Sequence, residues 1–206
     1  MRTSMFGPAY FVKRGFDICF SIFLLIILSP LLLLIAAAIK FDSPGPIIYA
    51  HKRVGKNGKH FNFYKFRSMR INADKEIEKL TQKNETNGPI FKMKNDPRIT
   101  AFGGFLRKFS LDELPQLINI FKGEMSLIGP RPPVPDEVKK YKKWQHRRLS
   151  VIPGISGLWQ VMGRSNLSFE EMVRLDIYYI ENWSIGLDAY IFIKTIGAIL
   201  RARGAY

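Results

Sequence analysis

An α+β domain behind a broken apolar helix is the fold class that these 206 residues predict, and three patterns carry the prediction. The apolar run over residues 18–39 is interrupted at its midpoint by Ser29-Pro30. Two runs rich in aromatic and β-branched residues, 47–54 and 60–69, flank Asn57-Gly58, a strong hairpin signal. Downstream, apolar residues recur at helical spacing. The division expected is a tail and membrane helix over residues 1–41, then one folded domain over residues 42–206.

A straight helix over residues 18–39 would be roughly 33 Å long, close to the ~30 Å of a bilayer's hydrocarbon core. Pro30 removes a helix hydrogen bond and clashes with the preceding turn, so the helix should kink or break where it is deepest. Ser29 can return a hydroxyl to a carbonyl freed by the break. Lys13 and Arg14 precede the run and Lys40 follows it, and cationic flanks favour the cytoplasmic side. Entry and return on one face satisfies both ends, while a kinked span and a cleaved leader remain as alternatives. Ala36-Ala37-Ala38 imitates a cleavage site, although the run exceeds the roughly 7 to 15 residues of a signal core. Asp17 beside Arg14 reads as an anchor at the head groups.

Asp42-Ser43-Pro44-Gly45-Pro46 ends the apolar arm as a turn. The hairpin that follows turns Lys52, Arg53, Lys56, Lys59, Lys65 and Arg67 outward. Residues 71–83 form a weak candidate for a surface helix, followed by a polar loop over 84–89. Phe102, Phe105, Leu106 and Phe109 have helical spacing within residues 99–109. Ser110 and Glu113 have the spacing of a capping box opening an apolar helix that runs through Phe121 to Gly123. Residues 129–135, Gly-Pro-Arg-Pro-Pro-Val-Pro, read as rigid and extended. Residues 136–149 predict a basic amphipathic helix, suited to a lipid interface or to a solvated face resting on the core. A loop over 153–157 and helices over 169–183 and 187–200 complete the chain, the last able to pack as core, lie on a bilayer or meet another subunit.

A net charge of +15 calls for polyanions: nucleic acid, anionic head groups or phosphorylated substrates. The apolar run favours the last two. Cys19 has no partner in the sequence, which excludes a disulfide framework. His51, His60 and His146 lack metal-ligand spacing and read as surface residues.

Asp112 and Glu113 are the sharpest local feature, adjacent carboxylates at an expected helix start where the dipole favours negative charge. Helix-start acids are usually caps, so the surroundings decide. Arg107 lies five residues before Asp112, Arg131 sits in the proline-locked segment, and Lys65 and Arg67 end a strand. Carboxylates among fixed cations can host a divalent metal and a diphosphate, and can act as nucleophiles.

The sequence resembles the monotopic phosphoglycosyl transferases, the bacterial sugar transferases that start exopolysaccharide, O-antigen and glycoprotein glycan assembly. The resemblance runs from Lys13-Arg14-Gly15-Phe16-Asp17 to the C-terminus. It rests on Ser29-Pro30, Tyr64-Lys65-Phe66-Arg67-Ser68-Met69, Asp96-Pro97-Arg98-Ile99-Thr100, Ser110-Leu111-Asp112-Glu113-Leu114-Pro115-Gln116-Leu117, Gly129-Pro130-Arg131-Pro132, Pro153-Gly154-Ile155-Ser156-Gly157, Gln160-Val161-Met162-Gly163-Arg164 and Asp176-Ile177-Tyr178-Tyr179. Each is weak alone. Their order and spacing are specific.

The resemblance implies that Asp112 attacks the β-phosphate of a UDP-sugar, releases UMP and carries a phosphosugar until polyprenol (undecaprenyl) phosphate takes it. It implies Mg2+ on the same aspartate, with Glu113 orienting the metal or handling a proton. Arg131 matches a position linked to nucleotide-sugar binding, Lys65 and Arg107 match basic residues around the phosphates, and Arg67, in the same motif as Lys65, is a further candidate for binding substrate. Arg164 and Asp176 match functionally sensitive positions, and Asp96 with Arg98 reads as a loop-fixing pair. It further implies a re-entrant helix, a monotopic protein on the cytoplasmic face of the bacterial inner membrane, and some helices at the lipid interface. Larger relatives carry an N-terminal bundle of membrane helices, where a short tail precedes Lys13 here. Residues 72–93 look like the catalytic domains of those larger relatives, which favours a hexose donor, glucose or galactose. No nucleic acid is expected as partner, membrane lipids are, and a homo-oligomer is compatible. The rival from another class is a membrane-anchored basic module that binds lipid or nucleic acid without catalysis.

Overall fold

A computed structural model describes residues 7–76, 93, 96–163 and 167–200. Helices α1 (Pro8–Ile27) and α2 (Ser29–Asp42) meet at a 63° bend. Pro30 has no N–H to offer the Ile26 carbonyl, and the Ser29 hydroxyl takes its place at 2.8 Å. No single described helix is long and apolar enough to cross a membrane; the bent pair passes that test only jointly.

Strands β1 (Ile48–Val54) and β2 (His60–Phe66) form the expected antiparallel hairpin, with Ile48 opposite Phe66 and Val54 opposite His60. Asn57 and Gly58 take the positive φ that the turn requires. One 3-10 turn, Ala73–Glu76, occupies the start of the expected 71–83 helix, and the rest of that expectation, with the 84–89 loop, lies outside the described residues. Helix α3 (Ala101–Lys108) starts on a Thr100 cap, whose Oγ1 accepts the Gly103 N–H at 3.0 Å. Helix α4 is Gln116–Phe121, and β3 is Ser126–Ile128.

Residues 129–134 are free of helix as expected, and Pro135 opens the one-turn helix α5 (Pro135–Val138). The continuous 136–149 helix does not form. Lys142 is extended, its N–H is taken by the Gln145 side chain at 2.7 Å, and a 3-10 turn over Lys143–Ser150 follows. The expected loop at 153–157 contains strand β4 (Gly154–Ser156), parallel to β3. Three short residues of pairing leave no alternation to read. Helices α6 (Leu158–Met162), α7 (Phe169–Glu181) and α8 (Ile185–Leu200) end the described chain.

The main core gathers Phe61 and Phe63 of β2, Leu117 and Ile120 of α4, the β3 residues, and Tyr179, Ile180 and Ile191 of the last two helices. A smaller core joins Ile35 and Ile39 of α2 to Phe66 and Leu106. Exposed apolar side chains concentrate on α1, α2 and the outer face of α8, including Ile26, Ile27, Leu33, Leu34, Ile193 and Ile196.

Helix α1 corrects one expectation. Asp17 is buried, accepting from Ser126 Oγ at 2.7 Å and the Leu127 N–H at 3.2 Å. Arg14 donates to the carbonyls of Ile120 and Met125, and Lys13 to that of Ile128 and to Asp188 Oδ2 at 2.6 Å. These three polar residues fasten the helix to the domain, so Asp17 is no head-group anchor. A buried polar stripe in an apolar helix has two readings, and only the neighbours choose between them.

Candidate active site

Asp112 and Glu113 lie on a single 3-10 turn, Leu111–Glu113, between α3 and α4. Ser110 adopts a left-handed conformation and makes no side-chain cap, so the expected capping box is absent. The site is held by strand–helix docking instead. Asn119, fully buried on α4, accepts the Tyr64 N–H at 3.1 Å and donates to the Asn62 carbonyl at 2.7 Å, pairing with β2 as another strand would. Thr100 N–H bonds the Ser68 carbonyl, and a Cβ on Gly103 would fall 2.1 Å from that same oxygen, so α3 lies against the end of β2.

This docking brings Lys65 between the two acids. Its Nζ is 3.3 Å from Asp112 Oδ2 and 2.7 Å from Glu113 Oε1, while Arg131 Nη1 lies 3.6 Å from Glu113. Burial raises the Glu113 carboxyl, but Lys65 and Arg131 outweigh it and hold the group at about 2. Glu113 is therefore ionised throughout the neutral range. The ionisation follows from these fixed cations and not from a helix dipole. Arg107 donates Nε–H to Ser68 Oγ at 2.9 Å; burial lowers its pKa, with Asp112 the largest opposing influence. Three cations thus surround two carboxylates, one of them, Asp112, buried.

Arg131 owes its place to carbonyls. Prolines offer no N–H, so the segment is pinned through oxygens: that of Pro130 accepts from Gly154, of Arg131 from Arg148, of Pro132 from Arg53 and of Pro133 from Val54. Arg148 is itself buried between Asp176, 2.8 Å away, and Glu137 at 3.0 Å. Burial opposes its charge, but Asp176, Tyr141 and Glu137 together raise its pKa. Asp176 is fully buried and reaches the site only through Arg148 and the Arg131 backbone.

Of the residues expected at the site, Lys65, Asp112, Glu113 and Arg131 come together, with Arg107 behind them. Arg67 does not join them. Its guanidinium is buried at the end of α2, donating to the carbonyls of Pro44 and Ser43 at 2.7 and 2.6 Å, and so completes a helix C-terminus. Arg164 lies outside the described residues. Asp96 and Arg98 form the loop-fixing pair expected of them, 2.6 Å apart. His60 and His146 are exposed, whereas His51 is half-buried in a cavity wall. Asn119 and Arg148 were missed by sequence reasoning, although a lone amide inside Leu117-Ile118-Asn119-Ile120 was the available signal.

Among the described residues no group of three or more His, Cys, Asp or Glu side chains is placed to hold a metal ion. Asp112 and Glu113 are the available oxygen donors, and two carboxylates suit Mg2+, which keeps waters and takes phosphate oxygens for the rest of its shell.

Residues 8–202 match a family model described as bacterial sugar transferase. The chain is 47% identical over 194 residues to the galactosyl transferase CpsE of Streptococcus agalactiae, covering 94% of this chain and 43% of that protein. It is 48% identical over 204 residues to the undecaprenyl-phosphate galactose phosphotransferase of Salmonella typhimurium, covering 95% and 42%. The exopolysaccharide production protein ExoY of Sinorhizobium fredii is 44% identical over 198 residues, with 94% and 88% covered. The chain spans less than half the length of the first two relatives and most of the third.

Proposed function

The chain belongs to the bacterial sugar transferase family, and from that premise we propose that it moves a sugar 1-phosphate from a UDP-sugar to polyprenol phosphate. The donor is a hexose, glucose or galactose; the names of two relatives favour galactose. The acceptor is undecaprenyl phosphate, named for one of them. The products are UMP and polyprenyl diphosphosugar, and the reaction opens exopolysaccharide, capsule or related glycan assembly.

The observation that carries this reading is the buried Asp112 beside Lys65 in a turn ringed by Arg107, Arg131 and Glu113. In the first step an Asp112 carboxylate oxygen bonds to the β-phosphorus, and the bond from that phosphorus to the bridging oxygen breaks, leaving UMP with the electron pair. In the second, a phosphate oxygen of the acceptor bonds to the same phosphorus and Asp112 departs as carboxylate. Lys65 and Arg131 neutralise charge on the phosphoryl oxygens, which is most of what phosphoryl transfer requires. Glu113, held at about 2, fixes both cations and is unsuited to take a proton at neutral pH. Mg2+ on Asp112 and Glu113 would supply further neutralisation of the diphosphate.

The bent α1–α2 pair enters and leaves the cytoplasmic leaflet of the bacterial inner membrane, a monotopic arrangement. Its support is the Ser29 and Pro30 break and the exposed apolar side chains on either side of it. Water-soluble donor and lipid acceptor then meet at one level.

Detergent-purified protein incubated with Mg2+ and a panel of UDP-sugars tests the reaction. UMP release without acceptor and a phosphosugar adduct on Asp112 by mass spectrometry are expected, and Asp112→Asn should abolish both. Undiminished turnover in that variant would remove Asp112 as nucleophile. Salt-sensitive DNA or lipid binding with no UMP from any donor would select the non-catalytic rival.

A further inference from the structure

The hairpin register sets Tyr49 opposite Lys65, His51 opposite Phe63 and Arg53 opposite Phe61. Directly paired residues share a face, so His51 and Arg53 continue the face that carries Lys65 away from the carboxylates. Both line a cavity of about 590 Å3, within the usual range for ligand pockets, whose wall includes Arg131, Trp159, Phe169 and Met172. Arg131 belongs to both places, since it also contacts Glu113.

The chemistry of the wall selects among ligands. Arg53 donates Nη1–H to the Pro132 carbonyl at 3.0 Å and lies over the Phe63 ring, and it forms no ion pair among the described residues. Burial, then the like charge of Arg131, push its pKa down to about 10, which leaves it a cation. The two acids at the cavity are engaged elsewhere, Glu137 with Arg148 and Asp136 with Lys139. Arg53, with no carboxylate partner among the described residues, lies beside Arg131, whose carboxylate contact is Glu113 at 3.6 Å, and this excess of positive charge calls for an anion. Trp159, Phe169 and Met172 offer an apolar wall to a flat ring.

We propose, on the basis of the reaction above, that this cavity receives the nucleoside monophosphate half of the UDP-sugar, with Arg53 joining Arg131 on the α-phosphate and Trp159 walling the uridine. The same pocket takes UMP in the free enzyme, where UMP competes with the donor, and in the phosphosugar-enzyme, where UMP reverses the first step.

The test is titration of the full chain in detergent with UMP and with hexose 1-phosphate, read by calorimetry and tryptophan fluorescence. UMP should bind wild type and quench fluorescence. Arg53→Met should weaken UMP about tenfold or more, the loss of one charged hydrogen-bonding partner, with hexose 1-phosphate unchanged. Arg53→Lys should recover part of the affinity, and Trp159→Phe should remove most of the quench. Wild-type UMP affinity in Arg53→Met, or a loss confined to hexose 1-phosphate, overturns the proposal. Should Arg53→Met fail to fold, undiminished UMP binding in both Arg53→Lys and Trp159→Phe overturns it. UMP binding without any UMP release from UDP-sugars would leave the pocket standing and remove the proposed reaction instead.

Discussion

Lys65 holds two carboxylates whose charges would otherwise repel one another, and in the proposed reaction it would also neutralise the phosphoryl group. Replacing it with methionine removes a preorganised cation, and UMP release should fall on the order of 100-fold. Glu113 makes a separate prediction through pH. Its carboxyl is held at about 2, below the ordinary 4.5, so the unfolded chain binds the extra proton first as pH falls. Its stabilising contribution is complete above about 4.5 and declines as pH drops toward 2. Melting temperatures of wild type and Glu113→Gln should therefore differ most at neutral pH and converge in acid. The four residues that meet here were legible because they stood in three distinct motifs, Asp112 and Glu113 sharing one. Arg67 stood in the same motif as Lys65 and went elsewhere, since one residue beyond Lys65 the strand ends and the chain reaches the end of α2.

At the level of elements, the site depends on two close approaches to β2. Gly103 lets α3 lie on the Ser68 backbone, where an added Cβ would fall 2.1 Å from the carbonyl oxygen. Gly103→Ala must push α3, and Arg107 with it, away from Ser68, and a loss of about 1–3 kcal/mol is expected for such overpacking. Chemical denaturation measures that loss, and a raised KM for the donor would show Arg107 displaced with the helix. Asn119 provides the second approach: Asn119→Ala leaves the Tyr64 N–H and Asn62 carbonyl without their partner, at about 1 kcal/mol for each hydrogen bond lost. Spacing forecast the hairpin and the helices over 169–183 and 187–200 well, because alternation and helical periodicity are local. It missed the paired strands β3 and β4 and the short α6, and misjudged 136–149, where the deciding contact comes from the Gln145 side chain.

Across the whole molecule, α1 is both an apolar helix and a structural member of the domain. Lys13, Arg14 and Asp17 join it to α4, β3 and Asp188, and Asp188 also accepts from Tyr179 and Trp183. Removing Asp188 would leave the nearly buried Lys13 ammonium unpaired, at a cost of about 3 kcal/mol. Thermal unfolding of Asp188→Ala reads that cost. Topology has its own test. In membrane vesicles lacking the native Cys19, cysteines introduced at Phe11 and Phe41, both exposed, should react with an impermeant thiol reagent from the same side; labelling from opposite sides would establish a span in place of re-entry.

Sequence by itself determined the break at Ser29-Pro30, the hairpin, the helical remainder and the identity of the carboxylates and their main cations, since each depends on bonding geometry or periodicity within a few residues. Tertiary structure alone decided that Asp17 faces inward, that Arg67 closes a helix, that Asp176 pairs with Arg148, and that Arg53 shares a cavity with Arg131. Those outcomes rest on which distant carbonyl or charge lies within about 3 Å of a long side chain, and no spacing along the chain carries that information.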